Sequence, residues 1–341
     1  MSAPARRMSD EAGTPDDHAV GCPQTTWRRT LDLEGADVIV TGGAGFLGSH
    51  VVALLQRDGA ICHVPRSCDY DLTREVDVER MFNDMPADIV VHLAAEVGGI
   101  GANQANPGRY IFSNMMMGAL VMEHARQRGV HKYLQTGTVC SYPKVTAVPF
   151  REDSLWDGYP EDTNAPYGVA KRALLVQAQA YRRQYGMQAI TLLPVNLYGP
   201  RDNFDLETSH VIPALIRKMI EARDAGNVPV TLWGDGRASR EFLFVDDAAR
   251  AIVLALRHYD DAAPVNLGSG QEISVRELAT VVAGATGFTG TIEWDTTRPN
   301  GQPRRCLDTS RATEMFGFTA QVPLSEGLAA TVEWFTQGEG A

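Results

Sequence analysis

The chain has 341 residues, 44% of them hydrophobic, with five cysteines and a formal net charge of −11. That length allows one large domain or two modest ones with ample core. The charge argues against nucleic acid as a partner, though a small anion could still be recognised locally, and no run approaches the ~18 consecutive apolar residues of a membrane span.

Residues 1–33 are polar and rich in small side chains, and predict a disordered arm. The arm has no signal-peptide core, and Cys22, Cys62, Cys68, Cys140 and Cys306 show neither metal nor disulfide spacing. Together these features predict a reducing, cytoplasmic setting and no metal site. Next comes "ADVIVTGG", whose Val38, Ile39 and Val40 read as a buried parallel strand. In "TGGAGFLGSHVVALLQRDG", Gly42, Gly45 and Gly48 fit G-x-x-G-x-x-G and lead into a helix over 46–57. Strand, glycine turn and helix in that order predict a dinucleotide site. The phosphates would lie on the helix start beside Phe46 and Leu47.

The alternation continues. Strands are expected at 60–65, 87–99, 132–142 and 188–200, with helices at 74–85, 113–129 and 167–185 between them. Strands separated by helices predict an α/β fold, a doubly wound parallel (Rossmann) sheet over residues 34–199. Residues Met115–Met117 read as core packing. From residue 200 to 341 the rhythm loosens into a helix at 209–226, a strand at 228–236 and two strand-to-helix runs over 240–259 and 263–287. This predicts a smaller α/β region that binds substrate beside the sheet.

Two side chains in "APYGVAK", Tyr167 and Lys171, stand four apart and share a helix face. A phenol beside an ammonium becomes a usable acid or base, able to move a proton while hydride moves at the same carbon. The strand "YLQTGTVCSYPK" ends in Thr138 and Cys140 on the same crevice. There Thr138 would hydrogen-bond the reacting oxygen.

The stretches "HLAAEVGGIGAN", "GTVCSYPK", "APYGVAK", "PVNLYGPRDNF", "SHVIPALI", "WGDGRASREFLFVDD" and "RPNGQPRRCLDTSRA" give the chain a resemblance from about residue 37 to 335. It resembles the extended short-chain dehydrogenase/reductases that act on nucleotide sugars. "VGGI", "DNF" before "SHVIPAL", and the cysteine before "YPK" resemble the GDP-L-fucose synthase branch, which acts on GDP-4-keto-6-deoxymannose. The resemblance implies a catalytic set of Thr138, Tyr167 and Lys171, with Cys140 and His210 as the epimerisation base and acid. It also implies a substrate site of Asn196, His210, Val211, Trp233, Arg240 and Arg304 or Arg305, a cofactor wall that includes Ala94 and Ala95, and a homodimer formed through the helices at 114–127 and 168–185.

Cofactor choice turns on the second strand, "AICHVPRSCDYDL". It carries no acid before Asp69, and Arg66 stands where a 2′-phosphate would lie, which favours NADP(H). Asp71 and Leu72 are expected on the adenine side. Ala44 stands where many members of the branch have a basic residue, and this keeps NAD(H) open. The sequence therefore predicts an epimerase/reductase of a nucleotide-linked 4-keto sugar. The alternatives are a 4-epimerase with tightly bound NAD and, from another class, a non-catalytic dinucleotide sensor that would need no Tyr-Lys pair.

Overall fold

The computed structural model describes residues 31–298 and 302–339. The expected arm lies outside the described residues except for its last three. Of these, Leu33 is fully buried, and the Leu31 N–H donates to the Arg257 carbonyl at 3.0 Å.

In chain order the elements are β1 (Asp37–Thr41), α1 (Phe46–Arg57), β2 (Ile61–His63), α2 (Glu75–Asp84), β3 (Ile89–His92), α3 (Ile100–Ala105), α4 (Pro107–Gln127), β4 (Lys132–Thr136), α5 (Ala165–Tyr185), β5 (Ala189–Pro194) and β6 (Asn196–Tyr198). They continue with α6 (Val211–Asp224), β7 (Val230–Trp233), β8 (Ser239–Phe244), α7 (Val245–His258), β9 (Val265–Leu267), β10 (Glu272–Ser274), α8 (Val275–Thr286), β11 (Ile292–Asp295), α9 (Ser310–Phe316) and α10 (Leu324–Trp334).

Six strands make one parallel sheet in the order β2-β1-β3-β4-β5-β9. Side chains alternate across it. Val38 and Val40 of β1 join a core with Val51 and Leu55 of α1 and Ile252 of α7. On the other face Ile39 joins Val78 of α2 and Val121 of α4. The strand order reverses between β1 and β3, so the ligand crevice of such a sheet opens at their carboxyl ends. A second layer holds the sheet β10-β8-β6 and the pair β11-β7, with α6, α8 and α10 around a core of their own. The chain crosses between the layers more than once, since α7 packs on α1 and β9 pairs with β5.

The expected strands at 87–99, 132–142 and 188–200 all end early, the first at His92, and the endings of the last two matter for the site. The run at 132–142 stops at Thr136 and turns into a short 3-10 helix, Val139–Ser141. The run at 188–200 breaks after Pro194, so β6 leaves the first sheet and pairs with β8 in the second. Of the three methionines only Met117 enters the core, whereas Met115 lies exposed on α4.

Candidate active site

The carboxyl ends of β1, β3, β4 and β5 face the second layer across a cleft of about 1070 Å³. A single small-molecule pocket is typically ~300–1,000 Å³, so the cleft has room for two ligands in contact.

At one end it is walled by Gly42, Gly45, Phe46, Leu47, Gly48, Arg66, Asp71, Leu72, Ala94 and Ala95. Gly42 has φ +70°, and a Cβ there would lie 2.8 Å from Ala94 N. At Gly48 a Cβ would fall 2.1 Å from the Gly42 carbonyl, so only glycine lets α1 start this close to β1. Gly45 precedes α1 with no capping side chain, leaving the first-turn amides and the helix dipole to an anion. The Arg66 guanidinium has no carboxylate partner among the described residues, whereas Asp71 is used locally, accepting from Thr73 N at 3.0 Å. These residues fit a dinucleotide, which would supply or accept a hydride.

At the middle of the cleft, Thr138 caps the 3-10 turn and its Oγ1 accepts from Cys140 N–H at 3.2 Å. Its hydroxyl proton therefore stays available to a ligand. Tyr167 lines the same wall, and Lys171 lies buried behind it, 5.8 Å from the ring centroid, with Nζ donating to the Thr136 carbonyl at 2.9 Å. Burial, with the Cys140 charge adding, pushes the Tyr167 phenol up, and burial pushes Lys171 down to about 8. Desolvation thus outweighs the expected pull of the ammonium on the phenol. Tyr167 stays neutral and suits proton donation better than proton removal.

Cys140 Sγ receives the Arg305 guanidinium at 3.7 Å. His210 lines the cleft from the cap position of α6, where burial lowers its pKa. The loop that delivers it is fastened across the cleft: Gly99 N–H donates to the Thr208 carbonyl at 3.1 Å, and a Cβ on Gly99 would sit 2.8 Å from the Ser209 carbonyl. This contact accounts for Gly99 of "VGGI", whereas a Cβ on Gly98 would meet the Ala102 Cβ at 2.8 Å.

At the far end are Asn196, Val211, Trp233 and Arg240. Burial and the nearby Arg305 bring Arg240 down to about 10. Arg304 does not line the cleft; it pairs with Glu272 at 2.5 Å on the outside. Arg305 faces in, because residues 303–305 run extended beside β8 and neighbours alternate. Sequence reasoning left that pair open and missed three other residues. Lys218 lies two turns after His210 on α6 and lines the cleft with no acidic partner among the described residues. Asn114 pins the loop after β3 by bonds to both the N–H and the carbonyl of Glu96. Gly168 would place a Cβ 2.5 Å from the Cys140 carbonyl.

Residues 38–268 match the profile of the NAD-dependent epimerase/dehydratase family. The chain belongs to that family, in its GDP-L-fucose synthase branch. A rice protein named probable GDP-L-fucose synthase 1 is 43% identical over 306 residues, covering 89% of this chain and 93% of the relative. GDP-L-fucose synthase of Sinorhizobium fredii is 42% identical over 303 residues, covering 89% and 96%. Among solved structures, a GDP-L-fucose synthetase from Naegleria fowleri bound to NADP superposes with a TM-score of 0.84 at 27% identity, covering 92% of this chain and 96% of that one.

For this family member, Arg66→Ala is expected to weaken NADPH binding about tenfold to a hundredfold, the worth of one charge-assisted contact, and to leave NADH unchanged. Titration of both cofactors by fluorescence checks this. Equal loss for NADPH and NADH would make Arg66 a solvated charge.

Proposed function

We propose that the protein is an NADP(H)-dependent epimerase/reductase of a GDP-linked 4-keto sugar. One observation carries the reading: a dinucleotide cradle, the Thr138–Tyr167–Lys171 set and the Cys140–His210 pair all line or underlie one cleft. The glycine-turn region up to residue 199 holds the dinucleotide, and most of the remaining chain holds the nucleotide sugar. Lys218, Arg240 and Arg305 meet the diphosphate, the lysine as a point charge and the two arginines with guanidinium forks suited to its oxygens.

The ketone at C4 acidifies the hydrogens on C3 and C5. The Cys140 thiolate takes one of them, and the charge moves to O4, held by the Thr138 and Tyr167 hydroxyls. His210, as imidazolium, returns a proton to the same carbon from the opposite face. Burial disfavours that charge, and the arriving dianionic diphosphate restores it. Reduction follows when hydride reaches C4 and neutral Tyr167 gives its proton to O4, recovering one from solvent. The alternative, a redox-neutral 4-epimerase with bound NAD, leaves Cys140 and His210 without work.

The reading includes a homodimer in a reducing cytoplasm. Phe112 and Met115 on α4 and Val176 and Tyr185 on α5 are exposed, an apolar surface suited to a helical seam between two copies, and Cys62, Cys68, Cys140 and Cys306 are free thiols. Sedimentation at micromolar concentration is expected to give a dimer, and a species of only 37.1 kDa would count against it.

The two chemistries should separate by mutation. In D₂O with GDP-4-keto-6-deoxymannose and no reductant, wild type should incorporate deuterium at C3, C5 or both. Cys140→Ser should suppress that exchange, His210→Asn should impair return of the proton on the opposite face, and both should retain hydride transfer to a keto sugar needing no inversion. Tyr167→Phe should lose about 10²–10⁴ in reduction, the usual worth of acid–base catalysis. Absence of deuterium in wild type would reduce Cys140 and His210 to binding or packing residues.

A further inference from the structure

The cleft holds a carboxylate that the chemistry above does not use. Glu161 lines the wall just before α5, with Asn164 three residues on and Tyr167 six. Its neighbour Asp162 faces out and pairs with Lys144 at 2.6 Å, so the two adjacent acids diverge. One oxygen of Glu161 is committed to the chain: Oε2 accepts from Thr163 N at 3.2 Å, from the Thr163 hydroxyl, and from Asn164 Nδ2 at 3.2 Å. These bonds fix the side chain in one orientation. The other oxygen, Oε1, has no donor among the described residues.

A carboxylate is out of place beside a diphosphate, which it would repel. Lys218, Arg240 and Arg305 line the same cleft and account for the phosphates. Asn164 and Tyr167, three and six residues after Glu161, line the same cleft, Tyr167 as the proposed proton donor. What remains for an acceptor-only oxygen there is the part of the ligand that offers uncharged donors, the sugar hydroxyls. We propose that Glu161 is a specificity residue whose free oxygen accepts a hydrogen bond from the C2 or C3 hydroxyl of the GDP-linked sugar. It orients the ring for Tyr167 and rejects sugars that lack that hydroxyl. This rests on the GDP-sugar reading but not on the roles of Cys140 and His210.

Glu161→Gln separates this role from a merely structural one. Glutamine keeps a carbonyl oxygen for the Thr163 and Asn164 bonds but replaces the free acceptor with a donor. Affinities for GDP-4-keto-6-deoxymannose, its 2-deoxy and 3-deoxy analogues, GDP and NADPH would be measured by calorimetry. Loss of one hydrogen bond to a charged group predicts a tenfold to hundredfold weaker keto sugar in the variant, with GDP and NADPH unchanged. One deoxy analogue should bind wild type about that much more weakly and lose nothing further in Glu161→Gln. If Glu161→Gln binds the keto sugar as wild type does, or weakens GDP equally, the assignment is overturned. If both analogues lose as much as the full substrate in the variant, it is likewise overturned. Failure of GDP to bind wild type would instead remove the GDP-sugar reading itself.

Discussion

The site depends on one close approach. Gly168, the second residue of "YGVAK" after its neighbour Tyr167, lies against the Cys140 carbonyl with no space for a Cβ. That contact brings α5 onto the turn that follows β4. Three hydrogen bonds fasten it: Ser141 Oγ to the Gly168 carbonyl at 3.1 Å, Arg172 Nε to the Ser141 carbonyl at 2.6 Å, and Lys171 Nζ to the Thr136 carbonyl at 2.9 Å. Thr138 and Cys140 come from one side of this seam, and Tyr167 and Lys171 from the other. Positioning to within an ångström is worth orders of magnitude in rate, so a backbone contact with no slack is a sound place to anchor the side chains proposed as acid, base and hydrogen-bond donor.

Electrostatics then divides the labour. Burial holds the Tyr167 phenol protonated and lowers His210, so both are neutral until a ligand arrives, whereas Lys171, depressed to about 8, keeps most of its charge at neutral pH. Arg240 keeps its charge at neutral pH even though burial and Arg305 bring it to about 10. An anionic substrate thus meets fixed cations first and brings the negative charge that favours an imidazolium nearby. The chain's overall charge of −11 has no bearing on this, because recognition is local.

Local patterns were legible in the sequence where they are self-contained. The glycine turn between strand and helix and the spacing of Tyr167 and Lys171 each need only a few neighbouring residues to be read. Features made by distant contacts were not. The choice between Arg304 and Arg305 is settled by the extended run beside β8, and a one-residue shift would reverse it. Met115 belongs to a helix face whose exposure depends on how α4 and α5 pack. The pairing of β9 with β5 bridges more than 70 residues of chain, and nothing in "APVNLGSG" announces it. Resemblance supplied the roles proposed for Cys140 and His210 that residue type alone did not, while the close approach of Gly168 and the cleft position of Glu161 had no local sign in the sequence.

The most direct test of this arrangement is Gly168→Ala, assayed at a temperature where the variant is folded. Single-turnover NADPH oxidation and C3/C5 deuterium exchange would be followed on the same preparation. If one seam positions both chemistries, a methyl group forced against the Cys140 carbonyl should slow them together, by about 10², with NADPH affinity little changed. Wild-type rates for both, or loss of one with the other intact, would contradict the account.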